Sequence, residues 1–409
     1  MSALLGSDPL LIGDIDFTVV VIVIVKTVLV FALLLVAVMF YIWFMRKVIA
    51  DMQNRIGPQR AGPFGILQTL ADGIKLFFKE QSEPATADKR VFRLAPYLSI
   101  LPAFLAFAIV PIGGVVTIGD HRTQLQLADP PIGVLFLLAM SGIGLYGVML
   151  AGWSSGSKYP LLGAVRASAQ LLSYEAAMGL AIVAVLIQSG TLSTREIVDG
   201  QAWDGLGSII GRGDTHWFLV PTIVSFVIFL IAAMAETNHP PFDLVEAEQE
   251  LVGGFHTEYT GIRFAIFFLA EFMNLITMCA IAVTLFLGGP SGPSLTGLGI
   301  DAGSWLNVWV MPVVWFMVKL LVLLYATVWV RASLPRLRYD QLMNLGWKLL
   351  IEIAFVWAMI TAVLKVAQDV GAGAIDIIIT AACALVGGFV ILGILYLCIP
   401  KREEVEEIK

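Results

Sequence analysis

The chain has 409 residues, of which 58% are hydrophobic and only 14% are charged. A soluble domain carries about a quarter charged residues, so this composition excludes an ordinary soluble protein and indicates a polytopic membrane protein. Each long apolar run is predicted to be an α-helix, because backbone polar groups must be paired inside the bilayer. With a formal net charge of −6, the chain is not expected to bind nucleic acid.

Nine apolar segments have the length of membrane-spanning helices. The sequence therefore predicts an all-α polytopic protein with one membrane domain and no internal repeat. The predicted spans are 15–44, 92–118, 131–153, 159–188, 216–235, 263–287, 306–330, 346–367 and an additional C-terminal helix at 375–399.

The distribution of basic residues predicts the orientation. Most of the 25 Lys and Arg residues fall in loops on one side or in the tail, whereas Arg122, Arg195 and Arg212 lie on the other. Since cytoplasmic loops are rich in Lys and Arg, we expect the N-terminus outside and the C-terminus inside. The cytoplasmic segments are then 45–91, 236–262 and 331–345. The first residues do not resemble a signal peptide or a transit peptide, so we expect a bacterial plasma-membrane protein.

Residues 63–80 form a second kind of segment in the first cytoplasmic loop. Apolar residues recur at helical spacing at Phe64, Leu67, Leu70 and Ile74, while polar residues share the other face. The segment is too short and too charged to span, so we expect an amphipathic helix along the membrane surface. It serves either as a simple anchor or as the roof of an opening for a lipid-soluble substrate.

The third feature is the acidic loop, residues 236–262. Pro240 and Pro241 end one helix, and Asp243 followed by Glu246 has the spacing of a capping box for another. A charge run of this kind is either a solvated face or a set of buried carboxylates that raise one another's proton affinity. The loop's acidic residues are Glu236, Asp243, Glu246, Glu248, Glu250 and Glu258.

Ionisable residues inside the spans are candidates for function because they are costly there. Glu175 and Glu271 are the strongest candidates. Lys26, Lys319 and Glu352 are as well explained by structural pairing, although the sequence offers Lys26 no partner.

No resident metal or redox centre is predicted. The three cysteines, Cys279, Cys383 and Cys398, lie in apolar runs without a CxxC pair, and they are interpreted as core-filling residues. No two of the four histidines are placed on facing helices as haem ligands would be. Whatever redox chemistry occurs here, this chain is not expected to hold the metal.

Four long and mostly polar stretches resemble the H-subunit family of respiratory complex I, the proton-translocating NADH:quinone oxidoreductase. In that family this membrane component forms a quinone tunnel together with a quinone-reducing hydrophilic subunit. The stretches are RIGPQRAGPFGILQTLADGIKLFFKE from Arg55, GWSSGSKYPLLGAVRASAQLLSYE from Gly152, AETNHPPFDLVEAEQELVGGFHTEYTGIRFAIFFLAEF from Ala235 and RASLPRLRYDQLMNLGWK from Arg331.

The resemblance implies roles for individual residues. It implies quinone as the substrate, with FMN and iron–sulfur clusters held by partner subunits rather than by this chain. The partners would be the hydrophilic subunits with the terminal cluster and the small membrane-arm subunits. The implied chamber residues are Arg46, Arg55, Asp72, Phe242, Arg336, Arg338 and Asp340. The implied proton-coupling residues are Glu175, Glu236, Asp243, Glu246, Glu248, Glu250 and Glu271.

The chain departs from the family pattern at several positions. Met45 replaces the usual Glu before Arg46, which removes the expected acidic partner of that arginine. Gln59 replaces a common Asn, and Phe272 replaces a frequent Tyr beside Glu271. Many relatives also lack the ninth span.

Two other functional classes remain open from sequence. A membrane-anchor subunit of a proton-pumping hydrogenase resembles this family but uses no quinone, and the 63–80 helix favours the quinone branch. A secondary transporter would show repeated halves with broken helices, which this sequence lacks.

Overall fold

The computed structural model describes residues 8, 10, 16–202, 217–245, 252–293, 305–370 and 387–388. These residues are mostly helical, and seven of the described helices are long and apolar enough to cross a membrane. The seven are α1 (Phe17–Met52), α3 (Lys89–Phe107), α4 (Gly133–Ser154), α5 (Lys158–Ser189), α8 (Gly261–Phe286), α9 (Leu306–Ser333) and α10 (Tyr339–Asp369). The shorter helices are α2 (Gln68–Phe78), α6 (Thr194–Asp199) and α7 (Ile223–Glu236).

The fifth and eighth predicted spans differ clearly in their bounds from the observed helices. The fifth predicted span corresponds to α7, which has only 14 residues because a turn precedes Ile223. The eighth begins at Tyr339 rather than Gly346, so that the loop predicted at 331–345 is largely helical. Gln341 helps to start α10 by accepting a 3.2 Å hydrogen bond from the backbone N–H of Arg338. The ninth predicted span, 375–399, lies outside the described residues except for 387–388.

The second predicted span was extended too far, and its end is not helical. The helix α3 ends at Phe107, and Val115–Ile118 (β1) pairs antiparallel with His121–Gln124 (β2). Gly119 has a φ of 62° in the two-residue turn between them, as a type II′ hairpin requires. The β-branched run Val-Val-Thr-Ile before Gly-Asp is a hairpin signal that hydropathy alone hides.

The amphipathic segment is also shorter than predicted. Residues Pro63–Gly65 form a 3-10 turn, and the α-helix covers only Gln68–Phe78. A Cβ atom at Gly65 would lie 2.3 Å from the backbone oxygen of Pro58, so that the turn requires glycine there. Leu70, Ile74 and Phe77 are exposed along α2. An exposed apolar face of this kind is typical of a helix lying on a membrane surface.

The helix α8 lies at the centre of the bundle. In the most apolar 18-residue stretch of α8, 72% is buried, whereas in the corresponding stretch of α1 only 17% is buried. Phe272 and Phe286 of α8 are fully buried. The aromatic ring of Phe272 lies 5.9 Å from that of Tyr41 on α1. Glu271, the neighbour of Phe272, is therefore carried by the most enclosed of these helices.

Candidate functional site

A cavity of about 80 Å³ lies between α3, α4, α5, α7 and α8. That volume has room for about two or three water molecules. Three of the predicted coupling residues, Glu175, Glu236 and Glu271, line it together. Ser141 donates a short hydrogen bond to Oε1 of Glu236. The structure thus brings carboxylates from three helices to one partly open, partly polar space.

Glu271 has a partner that the sequence interpretation missed. Nδ1 of His239 lies 3.1 Å from Oε1 of Glu271, and the His239 side chain is only 3% exposed. Burial and the charge of Arg331 lower the pKa of His239 to about 3, against an opposing effect of Asp243. We therefore assign a neutral imidazole in contact with the Glu271 carboxyl group.

The acidic loop continues from this pair to the predicted chamber residues. Asp243 is buried and forms an ion pair with Arg336, with Nη2 3.0 Å from Oδ2. Phe242 is buried too, with its ring 5.7 Å from that of Tyr174 on α5. Residues 243–245 are not helical. Glu246, Glu248 and Glu250, and with them most of the predicted loop helix, lie outside the described residues.

A second polar group lies where α1 meets α2. Nη1 of Arg46 lies 2.8 Å from Oδ2 of Asp72, and Gln68 donates to Oδ1 of the same carboxylate at 3.1 Å. Burial tends to raise the pKa of Asp72, but the hydrogen bonds from Arg46 and Gln68 outweigh it and lower that pKa. Asp72 on α2 is therefore the acidic partner of Arg46, although Met45 replaces the glutamate that the family pattern has before this arginine. Arg55 lines a groove beside this pair.

Glu83 joins the loop after α2 to two helices. Its carboxylate accepts from Nε of Arg93 at 2.9 Å and pairs with Nη2 of Arg263 at 2.7 Å. These hydrogen bonds lower the pKa of Glu83 to about 2. Ser82 and Thr260 bond beside it, with 2.9 Å between the Ser82 nitrogen and the Thr260 hydroxyl oxygen. The end of the α2 loop is thus attached to the start of α8.

Other predicted site residues lie away from the cavity. Arg338 and Asp340 contact each other at 3.6 Å, but their side chains are 82% and 75% exposed in this chain. Met45 is buried, and its sulfur lies 3.3 Å from Nη1 of Arg331. Lys26, for which the sequence offered no partner, forms an ion pair with Asp8 at 2.7 Å and donates to Thr123.

Within the part of the chain that the structure describes, no group of three or more His, Cys, Asp or Glu side chains is placed to hold a metal ion. Cys279 is buried in α8 as a core residue. Cys383 and Cys398 lie outside that part.

The fold and this site define a multi-pass membrane protein with an acidic cavity between its helices, beside a charged loop. A family model described as NADH dehydrogenase matches residues 25–362, and the chain belongs to this family. The chain is 54% identical to the H subunit of the NADH-quinone oxidoreductase of Frankia casuarinae over 347 residues. The matched region covers 85% of this chain and 73% of that relative. The corresponding subunit of Frankia alni is 53% identical with the same coverage. That of Streptomyces avermitilis is 47% identical over 353 residues, or 85% and 74% of the two chains.

Proposed function

We propose that this chain is the membrane subunit of a proton-pumping NADH:quinone oxidoreductase, in which it lines the quinone tunnel and couples quinone reduction to proton translocation. The family and the names of the relatives support membership of such a multi-subunit complex over a hydrogenase anchor or a transporter. The proposal includes nine spans in one domain, the N-terminus outside, and a bacterial plasma membrane. FMN and the iron–sulfur clusters would belong to partner subunits.

The observation that carries the proposal is the continuity of the acidic loop. Within a few residues, the loop runs from Asp243, which pairs with Arg336, through His239 to Glu236 in the cavity wall. A negative charge formed on a quinone about 6 Å from such a group changes its proton affinity by roughly 3 kcal/mol at an effective dielectric near 20. Charge on the quinone side would therefore change proton occupancy along the loop.

The predicted residues divide into two sets under this proposal. Arg46, Arg55, Asp72, Phe242, Arg336, Arg338 and Asp340 line or border the quinone chamber. Glu175, Glu236, Asp243, Glu246, Glu248, Glu250 and Glu271 carry the response inward, and His239 orients Glu271 by its 3.1 Å contact.

The test uses the assembled complex with Asp243→Asn and Glu271→Gln, and with Asp199→Asn as the matched control. Asp199 is 59% exposed and pairs with Arg195 on α6. We expect both site variants to lower the number of protons pumped per electron, while NADH oxidation by an artificial acceptor stays normal. The Asp199 control should pump normally. Unchanged pumping and quinone reduction in both site variants would contradict the proposal.

A further inference from the structure

Gln170 is fully buried in α5, and neither the cavity wall nor an ion pair includes it. Its Nε2 donates hydrogen bonds to the backbone oxygens of Ala235, at 2.8 Å, and Phe242, at 2.9 Å. Both amide protons are directed to carbonyl oxygens, which settles the orientation of the side chain. One side chain therefore holds the two ends of the segment 235–242.

The segment between those two carbonyl oxygens contains the central groups of the site. Glu236 lies in the cavity wall, and His239 contacts Glu271 at 3.1 Å. Phe242 and Asp243 continue toward the Arg336 side. The separation of the cavity groups from the chamber groups is thus set by the two hydrogen bonds of Gln170.

Core filling does not explain this residue. A buried amide is costly unless its polar atoms are bonded, and an apolar side chain of similar size would fill the same space without that cost. Oε1 of Gln170 is buried and has no partner among the described atoms. The orientation of the amide therefore satisfies the two backbone acceptors, while its own oxygen is left without a hydrogen bond.

The same helix carries contacts to both sides of the site. One turn after Gln170, the hydroxyl of Tyr174 donates to the backbone oxygen of Leu342 on α10 at 3.0 Å. The next residue, Glu175, lines the cavity. A displacement of Phe242 would act through Gln170 on the helical turn that holds Glu175.

We propose that Gln170 is a positioning residue that connects the backbone of Phe242 to the turn of α5 carrying Glu175, so that rearrangement on the quinone side reaches the acidic cavity. The inference rests on the proposed function and adds a mechanical connection to it. None of the predicted chamber or coupling residues was assigned this positioning role.

The test compares Gln170→Met, which has no donor, with Gln170→Glu, which has at most one donor when protonated. The control is Gln201→Met, which also removes a fully buried amide bonded to the backbone. Nε2 of Gln201 donates to the oxygens of Ile197, Thr284 and Leu285, and its Oε1 accepts from the N–H groups of Phe218 and Gly288, at the far end of α8. Assembled complex is quantified first, followed by the quinone KM, kcat and protons pumped per electron.

We expect Gln170→Met to raise the quinone KM by about threefold to tenfold, the range that the loss of one net hydrogen bond gives. It should also lower the proton-to-electron ratio, with a smaller effect in Gln170→Glu. Gln201→Met should change only the amount of assembled complex.

Three results would overturn the inference. In the first, Gln170→Met matches Gln201→Met once activity is normalised to assembled complex. In the second, both Gln170 variants fail to assemble while Gln201→Met assembles, which would assign the amide to folding. In the third, the two Gln170 variants pump normally while Glu271→Gln does not; the proposed function would then stand without this connection.

Discussion

The two ends of the helical bundle hold their buried ionisable groups differently. At the hairpin end, formed by β1–β2 and the residues around Lys319, the buried ammonium of Lys319 has several fixed partners. Nζ of Lys319 donates to the backbone oxygens of Leu287, Gly289 and Ser291 at 2.6, 3.0 and 2.6 Å. The same ammonium lies 4.5 Å from the centre of the Trp217 ring.

At the acidic end, formed by Glu175, Glu236, His239 and Glu271, hydrogen bonding is incomplete. Oε2 of Glu236 and Nε2 of His239 are buried and have no partner among the described atoms. Buried polar atoms without partners usually bond to internal water. Lys319 is thus held by fixed contacts, whereas Glu236 and His239 keep free hydrogen-bonding capacity where we propose coupling.

The largest expected effect on stability is at Lys319, in the hairpin end. Lys319→Met leaves three backbone oxygens without their donor, which we expect to cost about 3 kcal/mol of stability. The thermal stability of the complex should fall, whereas the proton-to-electron ratio of the surviving complex should not change. Lys365→Met is the control, because Lys365 makes only a 3.7 Å contact with the exposed Asp369. A changed ratio in Lys319→Met would remove the distinction between the two ends.

The next effect tests how the acidic loop is seated on α5. A Cβ atom at Gly163 would lie 2.8 Å from Cα of Gly254 and 2.9 Å from the nitrogen of Phe255, so Gly163→Ala must displace the turn Gly254–His256. We expect a loss of about 2 kcal/mol and slower quinone reduction.

The control for that substitution is Gly179→Ala in the same helix. Nothing lies within 4 Å of a Cβ at Gly179, so this change should be neutral or stabilise α5 by roughly 0.5 kcal/mol. Equal quinone reduction rates for the two alanine variants would show that close packing at Gly163 does not position the loop.

A smaller effect concerns pH. The pKa of Glu83 is about 2 in the folded chain and 4.5 without its partners. The ion pairs of Glu83 therefore stabilise the fold fully above pH 4.5, and this stabilisation is lost as the pH falls from 4.5 to about 2. Glu83→Gln should therefore lower the melting temperature by the same amount at pH 7 and pH 6. A difference that shrinks between these two pH values would show that Glu83 titrates near neutrality.

The smallest expected effect is at the pair between α1 and α2. The side chains of Arg46 and Asp72 are 40% and 39% exposed, so Asp72→Asn should cost no more than about 1 kcal/mol of stability. A rise in the quinone KM without loss of assembly would support a chamber role for the pair. A normal KM would assign it to attachment of α2 alone.

Hydropathy predicted most of the helices because the bilayer requires every apolar run to be helical. It failed at Val115–Ile118, where a β-branched run is as apolar as a helix but folds as a hairpin. Periodicity likewise predicted the amphipathic segment but not its first turn. There, Gly62 and Gly65 adopt positive φ angles, so the regular helix begins only at Gln68.

The sequence was enough to propose which carboxylates form the candidate site, but not how they are arranged in space. Glu175, Glu236 and Glu271 are far apart in sequence, and only the packing of α5, α7 and α8 brings them to one cavity. Met45 suggested a missing partner for Arg46, whereas Asp72 supplies it from the next helix. His239 and Gln170 carry no motif that predicts their contacts, since both depend on the path of the loop after Ala235.

The most direct test of the central claim is redox-induced infrared difference spectroscopy of the assembled complex, in the region of the carboxylic-acid carbonyl stretch. Reduction of the bound quinone should produce a band from carboxyl protonation in the wild type. That band should be lost or shifted in Glu271→Gln and in Glu236→Gln, and retained in Asp199→Asn. Identical difference spectra for the wild type and both cavity variants would contradict the account, because the enclosed carboxylates would then not respond to the quinone.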